Sequence, residues 1–260
     1  MIDTHSHIDF KEFDPDRDDV IKRYFCNGGE KLINVGCDIK SSERSHELAA
    51  KHENIFCAVG IHPHDASTAD SENLSKLEQM SQHYKAVAIG EIGLDFFRNL
   101  SPMETQVEAF EAQLEMALRR NKPVILHCRD AYNEMIDVLS GFNSAKWRGV
   151  IHCFSAGWEI AEKFLQMGFH IGFTGIITYY KDNAVTNGFP EIHNVIKNMP
   201  IDRILLETDC PYLSPVPYRG ERNEPLHVKY VLEKLSKIRN EDIKTVETMT
   251  SANAVDLFRL

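Results

Sequence analysis

Six side chains in this sequence have the types and spacing of a metal centre: His5, His7, Glu91, His127, His152 and Asp209. A single histidine or glutamate after an apolar run is ordinarily a satisfied polar residue. Here four imidazoles and two carboxylates each follow such a run, where burying an unpaired charge is costly, and a shared metal gives them a common reason to be there. In an extended segment side chains alternate, so His5 and His7 point to the same face. Six protein ligands are too many for one tetrahedral catalytic ion, which needs an open position, but they suit two ions sharing a bridging ligand. Glu91 can bridge through its two oxygens. The expected division puts His5, His7 and Asp209 on one ion and His127 and His152 on the other, with Glu91 between. Two divalent ions about 4 Å apart can activate water and stabilise the attacking and leaving oxygens of a phosphodiester displacement. Asp209 is the expected general base, able to take a proton from the attacking water. The mixed nitrogen and oxygen set favours Zn2+ or Mn2+ over Mg2+, which stays possible.

Such a set works only if the chain delivers each residue to one place. Eight short apolar runs recur, at 2–8, 32–35, 55–59, 86–91, 124–127, 150–153, 170–174 and 204–207. Between them lie helical patterns at 18–26, 42–51, 71–83, 101–118, 131–139, 158–167 and 191–197, and two more follow between 227 and 260. The string Ser101-Pro102-Met103-Glu104 reads as a capping box with proline at the first helical position. Continuous apolar strands alternating with helices predict a parallel sheet covered on both faces. Eight units favour closure into a (β/α)8 TIM-type barrel over an open sheet, and the 260 residues match the roughly 250 typical of that fold as one domain. No GxGxxG follows the first strand, which weighs against a dinucleotide-binding fold. The longest irregular stretches, 175–188 and 210–225, are expected at the C-terminal face, where barrel active sites are built.

Composition bounds the partners. With 29 Lys plus Arg against 39 Asp plus Glu, the formal charge is −10. That argues against a protein that coats nucleic acid by broad phosphate neutralisation, but not against a pocket that holds one or two phosphates. The chain opens directly on its first apolar run, and no stretch reaches the length of a membrane span. The six cysteines are scattered with no CxxC pair, as expected for reduced thiols in the cytoplasm.

The strings Met1-Ile2-Asp3-Thr4-His5-Ser6-His7, Gly60-Ile61-His62-Pro63-His64, Gly90-Glu91-Ile92-Gly93-Leu94-Asp95, Leu126-His127-Cys128-Arg129-Asp130-Ala131, Ile151-His152-Cys153-Phe154-Ser155-Ala156-Gly157 and Leu206-Glu207-Thr208-Asp209-Cys210-Pro211-Tyr212 resemble, in order, the TatD family of metal-dependent hydrolases. The segment Arg219-Gly220-Glu221-Arg222-Asn223-Glu224-Pro225 resembles that family's late motif. The resemblance implies a barrel of the amidohydrolase superfamily that uses divalent metal for phosphodiester hydrolysis. It also implies a deoxyribonuclease, including 3′-to-5′ exonuclease action on single-stranded DNA, with metal roles that agree with those assigned above. Nucleic acid is then the expected partner as substrate, with no membrane and no obligate protein partner. Hydrolysis of an amide, ester or lactone, including deacylation of aminoacyl-tRNA, is the alternative on the same scaffold, because activated water attacks carbonyl carbon and phosphorus alike. A metal-dependent binding scaffold without turnover is a second alternative, disfavoured by the complete ligand set.

Other residues carry secondary expectations. The resemblance places His62 against substrate phosphate or the metal site, while His64 reads equally as a turn residue. Asp95 could orient a ligand histidine or cap a turn, and Glu207 could support a ligand or pair with an arginine. Arg98, Arg129, Arg219 and Arg222 are candidate phosphate clamps or plain ion-pair partners. Phe96, Phe97, Tyr179, Tyr180 and Tyr212 could stack on unpaired bases or pack their loops. Cys128 and Cys153 are expected to point away from the metals as small core residues.

Overall fold

Each apolar run becomes a strand because its side chains find cover on both faces. The computed structural model describes residues 1–142, 147–179 and 191–260. In chain order the elements are β1 (Ile2–Ser6), α1 (Arg17–Cys26), β2 (Lys31–Val35), α2 (Ile39–Lys51), β3 (Ile55–Val59), α3 (Ser71–Met80), β4 (Ala86–Asp95) and α4 (Met103–Arg120). They continue as β5 (Val124–Arg129), α5 (Tyr132–Gly141), β6 (Gly149–Ile151), α6 (Trp158–Gln166), β7 (His170–Phe173), α7 (Ile192–Asn198), β8 (Ile204–Leu206), α8 (Val228–Arg239) and α9 (Ile243–Phe258). The strands pair in parallel in the order of the sequence, from β1 to β8. Residues just beyond β8 close the ring onto β1: Asp209 N donates to His5 O and His7 N to Cys210 O, each at 2.9 Å. The fold is a (β/α)8 barrel.

Alternation sorts the core into two layers. Leu32, Ile89, Leu126, Ile151, Ile171 and Leu206 pack outward with helix residues such as Phe110, Leu114 and Phe164. Ile33, Val35, Ala58, Ala88, Ile125, Val150 and Leu205 form the inner group. Helix α9 joins that inner group through Ala254, Leu257 and Phe258. It is tied down where Asn253 Nδ2 donates to Ile201 O and Ile204 O, at the start of β8.

Two boundaries differ from the sequence expectation in ways that matter. β4 does not stop at Glu91 but runs to Asp95, because its pairing with β5 resumes beyond a register shift, with Gly93 opposite His127 and Asp95 opposite Arg129. Only glycine suits position 93: φ is +142°, and a Cβ there would meet the His127 carbonyl. The capping box does not form. Pro102 is the N-cap, with no side-chain cap bond, and Ser101 Oγ donates to His64 O at 2.9 Å. Residues 180–190, which hold Tyr180 and most of the long loop after β7, lie outside the described residues.

Candidate metal centre

The six expected ligands meet at the C-terminal mouth of the barrel, and Glu91 stands at their centre. Its Oε2 lies 3.4 Å from His5 Nε2 and 3.7 Å from His7 Nε2. Its Oε1 lies 2.9 Å from His127 Nδ1, 3.6 Å from His152 Nε2 and 3.7 Å from His62 Nε2. Each oxygen thus faces a different set of imidazoles. On the first side, His5 Nε2, His7 Nε2 and Asp209 Oδ1 form a triangle with sides of 3.2, 3.4 and 3.8 Å. Ligand atoms about 2.0–2.2 Å from a tetrahedral ion stand roughly 3.3–3.6 Å apart, so the triangle has the size of a metal site. On the second side His62 joins Glu91 and His127. His152 sits between the groups, its ring stacked on His5 at 3.6 Å.

Outer partners decide which nitrogen each ring offers. His7 Nδ1 lies 2.7 Å from Val35 O, a group that can only accept, so Nδ1 keeps its proton and Nε2 is the nitrogen turned to the centre. His152 Nδ1 lies 3.1 Å from Glu207 Oε2, and His127 Nε2 lies 3.1 Å from Asp95 Oδ2. Both rings then present their other nitrogen inward, and the donor set fits divalent metal.

The electrostatics agree. Burial alone would raise the Glu91 carboxyl, yet His5, His62, His152 and the His127 hydrogen bond hold it well below the usual carboxylate range. Burial is likewise outweighed at Asp209, which the His7 hydrogen bond and the charges of His152 and His5 pull down. Burial opposes charge on His7 and His127, but Asp209 with Glu91 lifts the first to about 9 and Asp95 with Glu91 lifts the second to about 9. His5 and His62 go the other way, through burial and then the neighbouring His152 and His127. At His7 and His127, then, the carboxylates draw positive charge more strongly than burial resists it, while at His5 and His62 burial wins.

Several supporting residues were only partly legible in the sequence. Glu207 takes no arginine among the described residues. It supports His152, accepts from Cys153 N at 3.0 Å, and lies where a Cβ on residue 172 would be, so Gly172 makes its room. Asp95 does both things expected of it: Oδ1 accepts from Arg98 N, and Oδ2 meets His127 and, at 2.9 Å, His64 Nε2. Gln106 and Gln113 went unnoticed. Gln106 accepts from Asp95 N at 2.8 Å and donates to Asp95 O at 3.2 Å; Gln113 does the same for Ile61, at 2.8 and 3.1 Å, just before His62. The signal was present, since 106, 110, 113 and 117 form one stripe of α4 in which two amides replace apolar residues.

Of the two readings of Arg222, the ion pair holds: it forks onto Asp16 at 2.8 and 2.6 Å and covers Phe13. Cys153, just past β6, takes φ +46° and sets its thiol 3.3 Å from Thr174 Oγ1, outside the apolar cluster that holds Cys128. Cys128 does enter the core as expected. Tyr179 donates to Ser214 O at 2.8 Å under the Arg219 guanidinium, so it ties two loops together. Arg98, Arg129 and Arg219 are exposed and have no carboxylate partner among the described residues. All six cysteines are free thiols, and no described helix is long and apolar enough to cross a membrane.

A barrel whose strand ends gather four histidines and two carboxylates at its mouth defines a metal-dependent hydrolase. The chain belongs to the family described as TatD related DNase, whose model matches residues 2–259. It is similar to the metal-dependent hydrolase YabD of Bacillus subtilis, 36% identical and covering 100% of this chain and 99% of YabD. The 3′-5′ ssDNA/RNA exonuclease TatD of Cronobacter sakazakii is 34% identical, over 99% of this chain and 97% of its own. Among solved structures, the TatD homologue YJJV from Escherichia coli matches with a TM-score of 0.91 at 31% identity, covering 100% of this chain and 98% of that one.

Proposed function

We propose that this protein cleaves phosphodiester bonds of single-stranded nucleic acid, DNA foremost, from the 3′ end, at a centre of two divalent ions. The observation that carries this reading is the division of Glu91, with Oε2 toward His5 and His7 and Oε1 toward His127, His152 and His62. The relative from Cronobacter sakazakii, named a 3′-5′ ssDNA/RNA exonuclease, supports the substrate class and the direction. His5, His7 and Asp209 would hold one ion, and His127 and His152, with His62 within reach, the other; Zn2+ or Mn2+ suits the donors better than Mg2+. Bound divalent ions supply the acidification of water and the positive charge that stabilises attacking and leaving oxygens.

The chain's own residues do the rest. Asp209 is the carboxylate the attacking water can reach: its side chain is 15% exposed, against 5% for Glu91 and 0% for Glu207. It takes the proton of that water as general base. Glu207 and Asp95 keep His152 and His127 in one tautomer and one orientation. Arg98, Arg129 and Arg219 are placed at the rim to hold phosphate oxygens. We further propose that the chain works as one domain, and in the cytoplasm, in keeping with its six free thiols.

Metal analysis combined with digestion of 5′-labelled single-stranded oligonucleotides tests the reading. Two ions per chain and stepwise loss of 3′ nucleotides are expected. A fully metallated protein inert on such substrates sinks the nuclease assignment, and turnover of aminoacyl esters in its place moves the chemistry to carbonyl carbon. Asp209→Asn should keep the fold and lose about 10²- to 10⁴-fold in kcat. Near-wild-type turnover at saturating metal refutes its role as base.

A further inference from the structure

Phe97 and Tyr212 are exposed aromatic rings, 58% and 53% open to solvent, at the same end of the barrel. Phe97 lies two residues past Asp95, which ends β4, and Tyr212 three residues past Asp209, beyond β8. In an eight-stranded ring paired in sequence order, the fourth and eighth strands are opposite one another. The two rings therefore flank the metal centre from opposite rims. Large apolar side chains scattered singly over a surface need no explanation. Two that follow opposite strands around one site, each within three residues of a carboxylate of that site, are not scattered.

Their surroundings suit the bases and backbone of an unpaired strand. The Arg129 guanidinium lies 4.0 Å over the Phe97 ring, which joins a cation to a stacking face, and Arg98 is the next residue. Tyr212 makes a T-shaped contact with Phe10 at 6.3 Å, and Phe10 stacks on His7 at 4.8 Å. A continuous aromatic path thus runs from the open rim to a ligand of the centre. Aromatic rings beside free guanidinium groups bind single strands by stacking on any base while the cations follow the phosphates.

From this we infer, resting on the nuclease reading above, that Phe97 and Tyr212 are stacking pads that hold the bases on either side of the scissile phosphate. The test uses the metal-loaded, full-length enzyme, a single-stranded oligonucleotide, and the same oligonucleotide carrying 2-aminopurine near its 3′ end. Phe97→Ala and Tyr212→Ala should each raise KM about tenfold with kcat changed less than about twofold, and should weaken the quenching of 2-aminopurine on binding. Tyr84→Ala, an exposed ring 77% open at the other end of β4, should change neither. Unchanged KM in the Phe97→Ala, Tyr212→Ala double variant overturns the pads while leaving the nuclease reading intact. So does a fall in kcat alone, which means that the rings only pack the site. An altered oligomeric state with unchanged KM assigns the pair to a protein contact and also overturns it. A wild-type enzyme inert on every oligonucleotide removes the reading on which the pads rest.

Discussion

Glu207 shows how much one residue can depend on the absence of another side chain. It is fully buried, its Oε2 holds His152 Nδ1, and its carboxyl occupies the space that a Cβ on residue 172 would need. Gly172→Ala forces that carboxylate to move, and the overlap should cost about 1–3 kcal/mol of stability, as overpacked cores do. Because the displaced group orients a ligand histidine, divalent-metal affinity should fall about 10- to 100-fold in the surviving folded protein. Denaturant unfolding together with metal titration checks both numbers. A variant with wild-type metal affinity would show that His152 keeps its orientation without Glu207.

At the scale of elements, α4 is more than cover for the sheet. Its buried face carries Gln106 and Gln113, and each satisfies both the N–H and the C=O of one residue beside the centre, Asp95 and Ile61. Buried backbone groups need partners, so these two amides fix where β4 ends and where the His62 turn begins. Gln106→Leu keeps the volume but strands Asp95 N, along with the Ser101 carbonyl that Gln106 also serves at 2.8 Å, while Asp95 O keeps Asn99 N at 3.2 Å. A loss of about 1–3 kcal/mol per stranded group is expected, read as a lower denaturation midpoint. Loosened Asp95 should also weaken the ion beside His127 before the one beside His7, so metal titration should separate into two steps. A single unchanged step would confine Gln106 to a structural part.

For the whole molecule, charge distribution sets the kind of nucleic-acid contact open to it. The chain carries a net −10, and three arginines near the mouth, Arg98, Arg129 and Arg219, have no carboxylate partner among the described residues. A single strand held by about three phosphate contacts loses affinity with salt at a logarithmic slope of roughly −2. Oligonucleotide affinity measured across a salt series should give that shallow slope. A slope steeper than about −5 would mean a broad basic track in place of three contacts.

The sequence by itself determined the barrel, because strand alternation and the βα period are local properties written into each segment. It also determined the ligand types, because His5, His7, Glu91, His127, His152 and Asp209 could be placed at strand ends by counting. Tertiary structure decided what depends on partners far away in the chain. Pairing with β5 carried β4 on to Asp95, and a carbonyl at His64 drew Ser101 away from the helix it was expected to cap. Asp16, more than two hundred residues away, took Arg222, while Arg129 and Arg219 kept no carboxylate among the described residues. The division of Glu91 between two sets of imidazoles was likewise a matter of three dimensions. A residue's type states which bonds it can make, and only the closed barrel decides which partner comes within reach.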